Sequence, residues 1–127
     1  MREGHPEAKR RNLSLSRFCA LDHALVSFSG GSLTGVTDEA LARAGRERRV
    51  TVSVTSFLVL PEILQASDLI AVVPSRLARR AKGLAIFDPP VEIPGFTKTM
   101  AWHERTHHTA GHRWARALLA RTCESMN

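Results

Sequence analysis

His103-Glu104-Arg105-Thr106-His107 matches the H-E-x-x-H pattern letter for letter, and its residue types could do chemistry by themselves. A zinc peptidase needs such histidines one helical turn apart as ligands, with the glutamate as general base on a metal-bound water. Three features of the sequence oppose that reading. The lead-in Phe96-Thr97-Lys98-Thr99-Met100-Ala101-Trp102 alternates like a strand, which places His103 at a strand end rather than inside a helix. The extended pattern asks for Gly three and His six residues beyond the second histidine, whereas Gly111 and His112 fall four and five beyond His107. A set this short also recurs by chance in a His-rich stretch. Adventitious metal contact by His107, His108 and His112 is the milder alternative. Cys19 and Cys123 have no CxxC spacing and no acid–base partners nearby in sequence, and Ser29-Gly30-Gly31-Ser32 lacks the lysine of a phosphate loop. No catalytic residue, cofactor or metal site is expected, and the chain reads as a non-enzyme.

A second group of residues suits binding. Thr51, Ser53 and Thr55 form the polar face of a strand candidate that runs into Ser56 and Phe57 at an expected helix start. In parallel α/β sheets, ligands sit beyond the carboxyl ends of strands, against helix N-termini. Free N–H groups there attract a carboxylate, hydroxyls add hydrogen bonds, and Phe57 offers an apolar wall. The plainer alternative is that these hydroxyls are ordinary helix caps.

These residues need elements to position them. The first strand is expected at Ala24 to Phe28, followed by the Ser29-Gly30-Gly31-Ser32 turn. Thr37 or Asp38 then offers an N-cap for a short helix over Glu39 to Ala44, stopped at Gly45. Arg49 to Thr55 alternates Val50, Val52 and Val54 with the polar face, which predicts a strand. An apolar helix over Phe57 to Ala66 follows, with Pro61 in or near its first turn. Asp68 to Val73 is a continuous apolar run closed by Pro74, as in a strand buried on both faces. Ser75 caps a basic helix, Arg76 to Lys82, and Leu84 to Phe87 is a further short strand. Pro94-Gly95 leads to the Phe96 to Trp102 strand and a last helix over Gly111 to Thr122. Trp102 and Trp114 both fall at apolar positions of their elements and are expected in the core. The order β-α-β-α-β-α-β, then β-α, predicts an α/β fold with a mainly parallel sheet and helices on both faces.

Composition narrows the function classes. The chain has 127 residues, 43% hydrophobic and 24% charged, the profile of one ordinary globular domain. No apolar run approaches the ~18 residues of a spanning helix, and the charged start, MREGHPEAKRR, has no secretory apolar region. With two cysteines and no disulfide framework, a cytoplasmic setting is expected. The net charge of +6 is split among clusters at Lys9 to Arg11, Arg46 to Arg49, Arg76 to Lys82 and Arg113 to Arg121. Tyrosine is absent and no row of aromatics interleaves with the charge, so direct nucleic-acid binding by this chain is not expected.

In order and spacing these residues resemble the effector-binding domain of LysR-type transcriptional regulators. Arg2-Glu3-Gly4-His5-Pro6 resembles the family's crossover segment, and Phe18 to Ser27, with Leu21 and His23-Ala24-Leu25-Val26-Ser27, its second subdomain's first strand. Val36-Thr37-Asp38-Glu39-Ala40-Leu41 with Gly45, then Val54-Thr55-Ser56-Phe57, Ser67 to Pro74 and the helix at Leu77, continue the likeness. Trp102-His103-x-Arg105 and His112-Arg113-Trp114 resemble the tail of the branch that includes nodulation and aromatic-catabolism regulators. The resemblance implies a lobe like that of type II periplasmic binding proteins plus a returning β-α pair: residues 1–17 a basic lead-in or crossover, 18–90 the second effector-binding subdomain, and 91–127 a linker and a β-α pair of the first. It also implies that the tail is a return strand and helix, not a metal helix, and that the family's helix-turn-helix is missing from this chain.

The function so implied is effector sensing: a small organic acid, aromatic acids included, binds Thr55, Ser56 and Phe57, with Thr51 and Ser53 beside them. Its binding would control the state of a DNA-bound homo-oligomer, with DNA contacted only through the missing helix-turn-helix and no membrane involved. Two alternatives differ in class. One is a stand-alone ligand-binding or dimerisation module that modulates related regulators; the other is the zinc hydrolase of residues 103–107.

Overall fold

The computed structural model describes residues 1–10, 12–27 and 31–125. The chain divides into two compact units, Met1–Pro94 and Gly95–Asn127.

In the first unit a short helix, α1 (Leu15–Ala20), precedes β1 (Asp22–Val26), α2 (Val36–Arg43), β2 (Arg49–Val54), α3 (Leu60–Gln65) and a single turn, α4 (Ser75–Ala78). β1 and β2 pair in parallel, from Asp22 opposite Arg49 to Val26 opposite Val54, with a slip between His23 and Ala24 that leaves Thr51 unmatched. On the other side of β1, Ile70 forms a single parallel bridge with His23, held by Ala24 N–H to Ile70 O (2.8 Å) and Ile70 N–H to Asp22 O (2.9 Å). The order across the sheet is therefore β2, β1, then the 69–71 segment, all parallel. The expected Asp68 to Val73 strand shrinks to that bridge.

Each face of β1 has its own core, as alternation requires. On one face Ala24 packs with Leu60 and Leu64 of α3, joined by Val52 and Val54 of β2. Facing the other way, His23 stacks edge-on against Phe18, 4.6 Å between ring centroids, beside the cluster of Met1, Leu13, Phe18, Leu41 and Ile70. β2 is an edge strand whose exposure alternates strictly, with Thr51 and Ser53 on the exposed face.

Several boundaries move for identifiable reasons. β1 begins two residues before Ala24, while its expected end at Phe28 and the turn residues Ser29 and Gly30 lie outside the described residues. The N-cap of α2 is Gly35 rather than Thr37 or Asp38. Asp38 serves from inside the first turn, its Oδ2 accepting the Gly35 N–H at 2.8 Å. At the far end Gly45 adopts φ +63°, and Arg46 N–H to Leu41 O (2.9 Å) with Gly45 N–H to Ala42 O (3.0 Å) complete a Schellman cap. α3 starts at Leu60, not Phe57, with Pro61 in its first turn. α4 is shorter than the basic helix expected to Lys82 and has Pro74, not Ser75, at its N-cap.

Leu84 does not extend the central sheet. It bridges Arg2 in antiparallel fashion, flanked by Glu3 N–H to Gly83 O (3.0 Å) and Ala85 N–H to Met1 O (2.9 Å). Arg2 also pairs with Asp68 (2.7 Å) and His5 Nε2 meets the Asp68 carbonyl (3.1 Å), so the lead-in is tied into the unit.

In the second unit a 3₁₀ turn, Glu104–Thr106, precedes α5 (Ala110–Glu124). Residues 96–102 form no strand: their alternation marks a face, but among the described residues no backbone pairs with them. Arg116 lies over the Trp102 ring at 4.6 Å and donates to the His107 carbonyl at 2.6 Å, fastening the turn to α5. Trp102 and Trp114, expected in the core, are 46% and 65% exposed.

Candidate functional site

Of the expected ligand-binding residues, Ser53, Thr55, Ser56 and Phe57 lie at or just beyond the carboxyl end of β2, while Thr51 is mid-strand. Because α3 begins three residues later than Phe57, Ser56 and Phe57 sit in a turn ahead of the helix. Ser56 Oγ accepts the Leu58 N–H at 3.2 Å. That contact uses an oxygen lone pair, and the hydroxyl proton stays able to donate. Thr55 is exposed next to it. Thr51 and Ser53 are spent locally: Thr51 Oγ1 donates to the His23 carbonyl (3.5 Å) and Ser53 Oγ to the Ser32 carbonyl (3.3 Å). Thr55 is exposed and Ser56 half-buried, and neither hydroxyl is drawn back onto the strand as those of Thr51 and Ser53 are.

Phe57 departs from the other four. It lines an apolar cavity of ≈ 180 Å³ within the first unit, together with Leu60 and Leu64 of α3, Ile70, Leu77 and Leu84. Sequence reasoning missed this cavity, because its lining comes from α3, residues 70–73 and residues 75–90, which share no spacing rule. The Thr55 and Ser56 hydroxyls thus lie next in sequence to a residue that lines an apolar recess.

A buried ionic group on the other face of β1 was also missed. The Arg48 side chain is 1% exposed and grips Asp38 with Nε to Oδ1 and Nη2 to Oδ2, both 2.8 Å. Its Nη1 lies 3.2 Å from Nδ1 of His23, whose Nε2 lies 2.8 Å from the Phe18 carbonyl. Facing a cation at one nitrogen and a carbonyl at the other, the imidazole is neutral with its proton on Nε2. Burial pushes its pKa down to about 4, the Arg48 charge adding to the fall while the Phe18 carbonyl and the charges of Asp38 and Asp22 oppose it. For Asp38, burial raises the pKa, but hydrogen bonds from Arg48 and Gly35 and the Arg48 charge outweigh it and hold the carboxyl below its ordinary value. The group joins α2, β1 and β2; it is scaffold for the strand end.

The H-E-x-x-H residues do not form a metal helix. Glu104–Thr106 is a 3₁₀ turn with His103 as its N-cap, and His103 Nδ1 accepts the Arg105 N–H at 3.0 Å. His107 Nδ1 accepts Trp102 Nε1–H, also at 3.0 Å. The two histidines are committed to fixing the turn, and the strand that was to precede His103 is absent.

The first unit is a parallel α/β lobe with hydroxyls beyond the carboxyl end of an edge strand. Comparison with known proteins gives the family: the LysR substrate binding domain matches residues 1–124, and the chain belongs to it. The HTH-type transcriptional regulator SyrM of Rhizobium meliloti is 32% identical over 123 residues, covering 94% of this chain and 37% of that protein. The HTH-type transcriptional activator NahR of Pseudomonas putida is 35% identical over 121 residues, covering 93% of this chain and 40% of that protein. The crystal structure of the regulatory domain of MexT, a transcriptional activator in Pseudomonas aeruginosa, superposes with a TM-score of 0.71 at 39% identity, covering 86% of this chain and 56% of that one. The fold is thus that of a type II periplasmic-binding-protein-like lobe. The chain spans less than half the length of these two curated relatives. Members of the family are transcriptional regulators, not enzymes.

Proposed function

We propose that this chain is the effector-sensing part of a cytoplasmic LysR-type regulator and takes a small organic acid, aromatic acids included, at the β2 strand end. Residues 18–90 act as the second effector-binding subdomain, with 1–17 a crossover and 91–127 a linker and the returning pair of the first. The observation that carries the reading is the adjacency of the exposed Thr55 and half-buried Ser56 hydroxyls to the Phe57 side chain, just beyond the carboxyl end of β2. The hydroxyls hold the carboxylate, Phe57 packs against the apolar part, and Thr51 and Ser53 shape the strand end behind them. Bound ligand acts by favouring one of two arrangements of a DNA-bound homo-oligomer, and it can shift that balance only through a difference in affinity between them.

The test is the effector dose–response of the intact regulator bearing Ser56→Ala or Thr55→Val. Loss of one hydrogen bond to a charged group costs about 1.5–3 kcal/mol, or roughly ten- to a hundredfold in affinity. An unchanged curve in both variants moves the acid site off this strand end.

A further inference from the structure

The apolar cavity differs in chemistry from the strand end it borders. Its ≈ 180 Å³ lies wholly within Met1–Pro94, lined by Phe57, Leu60 and Leu64 from the α3 side, by Met1, Leu13 and Phe18 from the other cluster, and by residues between Ile70 and Pro90. Among the described residues that line it, polar side chains come only from Ser75 and Asp88. No lysine, arginine or histidine is among them. The Met1 amino group donates to the Ala85 carbonyl (3.4 Å), and burial moves it toward its neutral form. A carboxylate in this space would meet no side-chain cation and one carboxylate of like charge. A cavity of about 150 Å³ lined by Leu, Ile and Phe stays dry and takes up benzene, since water finds too few polar partners there. The space here is slightly larger and has Phe57, Leu60, Leu64, Ile70 and Leu77 in its walls, but it opens to solvent, with Ile86, Asp88 and Pro89 of its lining exposed, so a ring entering it displaces water.

We infer that this cavity is a second binding site, for an uncharged ring of benzene size, separate from the acid site proposed at Thr55 and Ser56. The driving force is removal of apolar ring surface from water against side chains already in place, which needs no hydrogen bond. Phe57 is the shared wall, its position tying occupancy of the cavity to the turn that carries Ser56. The inference does not depend on the acid site, because no hydroxyl of that site lines the cavity.

The experiment is a titration of the 127-residue protein with benzene, followed through amide chemical shifts, with benzoate titrated in parallel. The expected result is saturable shifts centred on Leu60, Leu64, Ile70 and Ala78, reached below the solubility limit of benzene and not reproduced by benzoate. Ala81→Phe and Ala85→Leu each push new apolar volume into the cavity from partly exposed positions. Each should weaken benzene at least tenfold while the spectrum keeps its folded dispersion; if one variant unfolds, the other carries the test. Ser56→Ala should leave benzene binding unchanged, so this site can stand or fall without the acid site. The inference is overturned by the absence of saturable shifts. It is equally overturned by undiminished benzene binding in a folded cavity-filled variant, or by benzoate saturating the same residues as tightly as benzene.

Discussion

Arg48 and Asp38 form a two-point ion pair with the guanidinium almost wholly removed from water, both contacts at 2.8 Å. Asp38 also accepts the N–H of Gly35, so one carboxylate caps α2 and neutralises the charge that enters with β2. Removing one partner of a buried pair strands the other, which costs far more than the pair contributes net. Asp38→Ala should therefore destabilise by about 3 kcal/mol or more, read as a lower urea midpoint at unchanged slope. Asp38→Leu combined with Arg48→Met, which leaves no orphan charge, should cost less than Asp38→Ala alone. A double variant that is worse than the single would mean that the pair itself stabilises the fold.

His23 gives the fold a pH dependence of definite sign. Its folded pKa of about 4 lies below the ordinary 6.5, so the unfolded chain binds the proton first as pH falls. Stability from the neutral imidazole is complete above pH 6.5 and declines between 6.5 and 4, by a total of about 3 kcal/mol. Asp38, held below its ordinary value, adds a loss only at lower pH, below about 4. Urea midpoints from pH 7 to 4.5 should fall for the native chain and stay flatter for His23→Gln. Parallel slopes for the two would place the titration elsewhere.

What the sequence disclosed followed from which interactions are local. Gly45 ends α2 as expected because a left-handed cap is a property of one residue and its four predecessors. The alternation of Val50, Val52 and Val54 with Thr51 and Ser53 was legible because an edge strand shows its two faces in its own residues. Phe96 to Trp102 alternates just as clearly, yet a strand also needs a neighbour's backbone, and no periodicity reports whether one is present. At the site, the residue types of Thr55, Ser56 and Phe57 were visible, but the delayed start of α3 was not, because Val59 makes no side-chain cap and Pro61 tolerates several starts. Asp38 stands on α2, His23 on β1 and Arg48 just ahead of β2; they share no spacing rule, and only the packed fold brings them together. An arginine at the mouth of a strand and a histidine inside an apolar one were the available signs.

Gly45 isolates a backbone effect. A Cβ added there meets nothing within 4 Å, so substitution adds no clash, while φ +63° remains a conformation that side chains resist. Gly45→Ala should cost about 1 kcal/mol, and Gly45→Asn less, since asparagine visits this region more readily. Thermal or urea unfolding of the two variants checks the ranking; Asn costing as much as Ala would show that the cap is not held in the left-handed form.

The second unit exposes apolar surface that water disfavours. Trp114, Leu118 and Leu119 of α5 are 65%, 40% and 56% exposed, and Phe96 is 64% exposed. Trp114 and Leu118 stand one turn apart and form a stripe, with Leu119 beside it. Burying each such side chain is worth roughly 1.5–3 kcal/mol, and a symmetric pair of chains buries every one twice. That is comparable with the ~4–15 kcal/mol lost on association, so the chain should self-associate at micromolar concentration. Light scattering should report a dimer or larger species. Trp114→Gln with Leu118→Gln keeps good helix formers while removing the stripe, and should weaken association at least tenfold without unfolding the first unit. Arg116→Ala is the informative control. It frees the turn at Glu104–Thr106 from α5 by removing the contacts to Trp102 and His107, yet leaves the stripe in place, so association should persist. A native chain that stays monomeric at tens of micromolar, or a stripe variant that associates as before, would show that this face is not the one that self-associates.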